Sequence, residues 1–353
     1  MKKGLVAVFV VCMGLLSGCS GDEGEAPEVT SSTGRTTTTT SAVVDGKAIN
    51  PFTGQYNLTK EDGNRPVAIM VPNDSTVWGY QTGLDKADLY FETETEAGIT
   101  RIMAVFANVY RVPDKFGPIR SARSPFVATA REFGAVYVHA GGSKVALATL
   151  KTGVVDRFNA LGVNSWSWRD SYLKKTLDTE HSLVLSGPKL TAAIEKKEWE
   201  KPAATTLPFT FGEKGGDRAA AMVQVSPSSN TRYATTWSFD KSTGLYTKNT
   251  GKIDNRKVLK TLEGNTVTVA NVVVLYGERF VEKQEGKNTW YDFKTGSGTG
   301  YIASGGTGRA IRFTRSAEKL TLTEADGTPL VFAKGKTYLY LADRTLESKL
   351  ILQ

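Results

Sequence analysis

The chain has 353 residues, a formal net charge of +8 and only two histidines. Both cysteines, Cys12 and Cys19, fall in the first 19 residues, so a folded body further on has no disulfide, no thiolate metal site and no cysteine nucleophile. Residues 1–18 carry two lysines and residues 19–46 carry five acids against one arginine, which leaves about +10 on residues 47–353, a charge that invites anionic partners such as wall polymers, acidic glycans or lipid head groups.

Lys2 and Lys3 precede an apolar run, Gly4 to Leu16. The run has the length of a signal-peptide core and is shorter than the roughly 20 residues of a membrane span. Leu16-Ser17-Gly18-Cys19 resembles the bacterial lipobox. Small residues at 17 and 18 suit a signal peptidase, and a thiol can form a thioether to lipid. Residues 1–18 are therefore expected to be a lipoprotein signal peptide, with Cys19 as the lipid-attachment site. That places the mature chain on the outer face of the bacterial cytoplasmic membrane, held there by its N-terminal lipid. Export and the lack of a basic-aromatic motif argue against nucleic acid as a partner.

Residues 19–47 are acidic and then rich in Thr and Ser, with almost no large apolar side chains. Such a segment buries too little surface to offset its ordering entropy and reads as a disordered tether. The remainder of the chain divides into an N-terminal α/β domain over 48–200 and, after a polar linker, a β-rich domain over 207–353, an α+β chain with a mixed sheet and helices in its first half.

Val67 to Val71 is a continuous apolar run bounded by Pro66 and Pro72, the pattern of a strand buried on both faces. Leu89 to Glu96 begins apolar and then alternates, so period 2 puts Glu92, Glu94 and Glu96 on one strand face. A turn at Ala97-Gly98 and an apolar strand from Arg101 to Ala107 make a hairpin that brings Arg101 near the glutamates. The acids are either a solvated face with a cross-strand ion pair or part of a site. The loop Phe116 to Pro125 carries Arg120 and Arg123, and Ser124-Pro125 starts a helix with Ser124 as cap, ended by Gly134. A helix N-terminus beside two guanidiniums suits an anion. Ala135 to His139 is a strand, followed by Gly141-Gly142-Ser143 and a helix over Lys144 to Leu150. That turn can present backbone N–H groups to an anion or oxyanion. It is neither a G-x-S-x-G elbow nor a Walker loop.

Trp166, Trp168, Arg169 and Asp170 crowd into five residues. They suit either a sugar-stacking surface or a core corner with an ion pair. His139 and His181 complete the histidine inventory and are candidates for a base, although structural hydrogen bonding is the commoner role; no ligand spacing supports a metal. The runs RPVAIMV, DLYFETETEAGITRIMAVF, GPIRSAR, EFGAVYVHAGGS and SWRD resemble the YerB-like family of Gram-positive lipoproteins. The resemblance covers roughly 50–200 and continues more weakly through Trp237 to Asp240, Asn271 to Val274 and Gly296 to Gly298. It implies an exported two-domain lipoprotein and supplies no catalytic residues. The chain departs from the expected Pro-His-Asn segment at Glu180-His181-Ser182.

From Phe209 onward strands alternate with turn signals such as Asp326-Gly327, which reads as a barrel or sandwich. The glycines at 296–300 and 305–308 precede a strand, not a helix, so they read as strand-connecting turns and no nucleotide cofactor is expected. Two functions remain open. One is binding of an anionic or glycan wall ligand (peptidoglycan or teichoic acid) or a cell-wall protein, through Arg101, Arg120, Arg123, Gly141, Gly142, Ser143, Trp166, Trp168 and Arg169. The other is a cell-wall glycan hydrolase or lytic transglycosylase with Glu92, Glu94, Glu96, His139 or Asp170 as acid or base.

Overall fold

Structured backbone begins inside the expected tether. Val43 and Val44 pair with Ala48 and Lys47 across an Asp45-Gly46 turn whose φ angles are both positive, 51° and 74°. Asp-Gly with two positive φ angles is a turn that closes a two-residue β-hairpin, and it extends the ordered body five residues upstream of Ala48. The computed structural model describes residues 43–59, 65–201, 207–251, 255–285, 288–317 and 319–353. The expected signal peptide, Cys19, the rest of the tether and residues 202–206 of the linker lie outside them.

The backbone of the architecture is one 11-stranded sheet. Its order runs Arg218–Ala219, Thr307–Arg315, Gly296–Ser304, Asn271–Gly277, Thr337–Asp343, Leu89–Glu94, Thr100–Phe106, Val67–Pro72, Val136–His139 and Arg157–Asn159, with Leu320–Glu324 also paired to Thr307–Arg315. The two halves of the chain meet where Thr337–Asp343 lies parallel to Leu89–Glu94, with Thr337 opposite Leu89 and Leu341 opposite Thr93. The β-rich C-terminal half thus shares an open sheet with the N-terminal half, and the described strands form no closed barrel. Residues 41–353 cluster as one compact unit.

Strand alternation divides the core into two layers. Ala68, Met70, Leu89, Phe91, Met103, Val105 and Tyr137 face the helices α1 (Ser124–Glu132) and α2 (Lys144–Lys151). Those helices contribute Phe126, Val127, Ala130, Ala146 and Leu150 to that layer. Val67, Ile69, Val71, Tyr90, Ile102, Tyr338 and Tyr340 face the other way. There they meet Trp237 and Tyr246 of a second, six-stranded sheet and Leu190 and Ile194 of a helix, Gly187–Glu195. Burial on both faces explains why Val67–Pro72 and Thr100–Phe106 are apolar nearly throughout.

The helix starts follow the sequence closely. Ser143 caps α2 by accepting the Ala146 N–H at 3.2 Å. In α1 the capping position is Arg123 and Ser124 is already helical, one residue earlier than Ser-Pro chemistry suggests. Gly134, at φ 62°, ends that helix in the left-handed conformation glycine tolerates. The glycine-rich stretch is a strand pair, Gly296–Ser304 and Thr307–Arg315, closed by Gly305-Gly306 with both φ angles positive. The turn reading holds at 305–306. Gly298 and Gly300 lie inside the strand, and at Gly298 a Cβ would sit 2.4 Å from the Phe313 ring.

A separate two-stranded arm, Arg279–Glu285 and Asn288–Phe293, follows the strand Asn271–Gly277 and has a bulge between Val281 and Lys283. It packs against the 3-10 turn Glu96–Gly98 and against α1.

Candidate functional site

The three glutamates do not share a face. Glu92 has the parity of Tyr90 and points to the layer between the two sheets. There it accepts from Lys248 Nζ at 2.7 Å, Asn73 Nδ2 at 3.0 Å and Thr100 Oγ1 at 2.7 Å, and the Tyr338 hydroxyl also donates to it. Lys248 is wholly buried and stacks over the Tyr338 ring at 4.1 Å. Glu94 pairs with Arg279 of the arm, whose guanidinium also reaches Asp343 at 3.2 Å and lies 4.2 Å over the Tyr291 ring. Burial pushes the Glu94 carboxyl up, and Arg279 opposes it. Glu96 has left the strand for the following turn, where Ala97 takes a left-handed φ of 54°. The alternating pattern stops at Glu94 because the chain must turn there, and that turn throws Glu96 toward the helical layer.

Glu96 is the centre of the arginine cluster. Arg123 clamps it with two donors, Nε at 2.7 Å to Oε2 and Nη2 to Oε1, and Arg101 Nη2 reaches Oε1 at 3.3 Å. Arg101 also donates to the Ser121 carbonyl at 3.0 Å, which fastens the hairpin to the arginine loop. Burial raises the Glu96 carboxyl, but the Arg123 hydrogen bonds and the two positive charges outweigh it and hold it at about 2. Burial, then the neighbouring charges of Arg123 and Arg120, pull Arg101 down to about 9 even against the attraction of Glu96. Arg120 belongs to the same field, and its guanidinium bonds Glu180, which is 67% exposed. Arg169, at the edge of this region, donates to the backbone carbonyls of Thr179 and Glu180. The hairpin prediction therefore holds for Arg101 and Glu96, and the loop 120–123 brings the other two arginines beside them.

The Gly141-Gly142-Ser143 turn braces this loop. Ala122 N–H donates to Gly141 O at 2.9 Å, Ser143 N–H to Ala122 O at 3.1 Å, and Gly141 N–H to Asn159 Oδ1 at 3.0 Å. Two of the donors expected to cradle an anion are thus consumed internally. The turn positions Arg120 and Arg123 and does not itself offer the Gly141 and Ser143 N–H groups to a ligand. His139 lies behind it, fully buried, with Nδ1 2.8 Å from Gly141 O and its ring stacked on Tyr137 at 5.4 Å. Burial pulls its pKa down to about 4, so it is neutral and shut away from solvent.

Trp166 is a core residue, edge-on to Phe158 at 5.6 Å, while Trp168 is 41% exposed on the neighbouring strand. Of these two tryptophans, Trp168 is the one placed to stack on a ligand. Asp170 caps the helix Ser171–Thr176 by accepting Leu173 N–H at 2.9 Å, and it pairs with Lys115 at 2.7 Å. Burial pushes Asp170 up, and Lys115 with the cap hydrogen bonds brings it below its ordinary value. His181 Nδ1 sits 2.8 Å from Asp178 Oδ2 in a tight turn. Glu96 and Asp170 are thus ionised at neutral pH, with no proton to give as general acids, and Glu92 sits in a sealed layer. Among the described residues no group of three or more His, Cys, Asp or Glu side chains is placed to hold a metal ion.

Sequence reasoning missed Lys248, Arg279 and the arm. Lys248 lies in the strand Leu245–Thr250, whose last four residues are all polar and so give no apolar alternation to mark its buried face. The arm's first strand, RFVEKQE, has too weak an apolar alternation to mark a strand.

Residues 52–200 match the family described as "Protein of unknown function (DUF3048) N-terminal domain", and residues 223–339 match its C-terminal domain. The chain is 28% identical over 293 residues to a protein of Bacillus subtilis (strain 168) named "Putative lipoprotein YerB", a match covering 82% of this chain and 84% of that one. It also superposes on the crystal structure of YerB protein from Bacillus subtilis with a TM-score of 0.71 and 26% identity, over 85% of this chain and 98% of that chain. Matches to both domains, in order and over most of the described body, show that the chain belongs to this YerB-like family of unknown function.

Proposed function

We propose that the protein is a lipid-anchored lipoprotein of the bacterial cell envelope that binds an anionic or glycan ligand of the wall, or an acidic partner protein there. The name of the Bacillus subtilis relative and the lipobox ending at Cys19 support the anchoring. Among the described residues no helix is long and apolar enough to cross a membrane. The observation that carries the binding reading is the convergence of Arg101, Arg120 and Arg123 on one loop, faced by Glu96 and the largely exposed Glu180. Guanidiniums held by a braced loop are pre-organised for bidentate contact with phosphate or carboxylate, and little side-chain entropy is lost when a ligand arrives. Glu180 is the partner a ligand can displace, since its carboxylate is mostly in water. Trp168 offers a stacking face in the neighbouring strand pair.

Co-sedimentation tests this reading. Purified residues 43–353 are mixed with isolated cell-wall sacculi, with and without their covalently attached anionic polymer. Binding that is lost on removal of the polymer, or on raising salt, supports the proposal. Equal retention on stripped and intact walls assigns the ligand to the glycan and not to the anionic polymer, and retention on neither contradicts the wall-binding reading.

A further inference from the structure

A concavity lies on the other side of the Arg123-Ser124 step, between α1 and the arm. Its volume is about 230 Å³, below the roughly 300–1,000 Å³ typical of pockets for drug-sized ligands. It fits a unit of about one ring. One wall is polar: Ser124 Oγ donates to Glu282 Oε2 at 2.7 Å, and Asp292 lines the same space from the opposite strand of the arm. Glu282 is the residue left without a cross-strand partner at the bulge between Val281 and Lys283, a device that re-aims a side chain out of the regular pleat. The other wall is apolar and is built from Val127, Val154 and Phe293.

Charge narrows the ligand. The two carboxyls in the wall, Glu282 and Asp292, repel an anion wherever either is ionised. Arg131 and Arg315 line the same space and oppose an ammonium group, although Arg315 is bound to Glu132 at 2.6 Å. Burial pushes both the Glu282 and Asp292 carboxyls up from their ordinary values, toward a form that can donate as well as accept hydrogen bonds. Hydroxyl groups exchange hydrogen bonds with such carboxyls in either state, and the C–H face of a carbon skeleton suits Val127 and Phe293.

We infer that this pocket binds one neutral polyhydroxyl unit, a sugar ring or an open-chain polyol, with its hydroxyls on Glu282, Asp292 and Ser124 and its carbon face on Val127 and Phe293. The inference does not depend on the arginine site, which takes charge where this pocket takes hydroxyls.

Residues 43–353 are titrated separately with glucose, N-acetylglucosamine and ribitol, followed by amide chemical-shift mapping, with inorganic phosphate titrated apart as a report on the arginine cluster. At least one of the three neutral probes should shift the amides of Thr149, Glu282 and Asp292. Preference for the ring compounds or for ribitol identifies the source. The double substitution Glu282→Gln and Asp292→Asn should weaken that binding by about tenfold or more. Thr149→Trp, which fills the mouth from an exposed position, should weaken it comparably without touching the carboxyls. If no neutral probe binds the wild-type body, or if both variants bind as wild type does, the inference is overturned, whatever phosphate does.

Discussion

Lys248 Nζ lies 2.7 Å from Glu92 Oε2, with neither side chain exposed to solvent, and the two residues come from opposite halves of the chain. Taking two charges out of water is costly, and the cost is offset here by Asn73, Thr100 and Tyr338 on the carboxylate and by the Tyr338 ring beneath the ammonium. Removing one partner leaves the other charged and buried. Lys248→Met should therefore destabilise the body by about 3–5 kcal/mol in urea unfolding. Adding Glu92→Gln should recover part of that loss, because the orphaned charge is gone. Additive losses would show that the pair is not coupled.

The shared sheet makes a second expectation. Thr337–Asp343 fills the edge of Leu89–Glu94 that a separate N-terminal domain would leave open. Residues 43–201 expressed alone should lack a cooperative unfolding transition, and residues 43–353 should unfold in one. A well-dispersed amide spectrum from the shorter piece would mean that the halves fold independently.

Glu96 gives a pH dependence. Its folded value of about 2 is below the roughly 4.3 of an unfolded glutamate. The stabilisation is present above the unfolded value and is lost as pH falls through the folded one. Glu96→Gln should cost about 3 kcal/mol at neutral pH. Its stability curve should also be flatter than the wild-type curve between about pH 4.5 and 2. Parallel curves would contradict the clamp by Arg123 and Arg101.

His139 acts in a different window. Burial holds it at about 4 in the fold, against roughly 6.5 unfolded. The unfolded chain takes up the proton first, so stability falls as pH drops from about 6.5 to 4, by on the order of 3 kcal/mol. Denaturant midpoints across that range should fall for the wild type and change less for His139→Gln. An unchanged slope in the variant would place the titration elsewhere.

The sequence made the arginine loop legible because its chemistry is local. Gly117 to Arg123, the Ser-Pro helix start and the Gly-Gly-Ser turn are adjacent segments whose turn and cap residues have few conformations open to them. The strand pair around Ala97-Gly98 was visible for the same reason. What alternation could not show is where a pattern ends: Glu96 continues the period of Glu92 and Glu94 by spacing, but the turn redirects it. Nor could it show partners more than a hundred residues away. Lys248 and Arg279 are ordinary surface residues by type, and only the pairing of Thr337–Asp343 with Leu89–Glu94 carries their half of the chain to the glutamates. The Gly-Gly-Ser turn is the reverse case, since its motif suggested ligand donors and its N–H groups of Gly141 and Ser143 serve the loop instead.

Calorimetric titration of residues 43–353 with a soluble poly(glycerol phosphate) tests the arginine site most directly. Arg120→Ala removes a guanidinium whose partner, Glu180, is mostly in water, so the fold should tolerate it. The account predicts measurable wild-type binding that weakens with salt and falls about tenfold or more in Arg120→Ala. Wild-type and Arg120→Ala proteins that bind equally, or a wild type that does not bind, would contradict it.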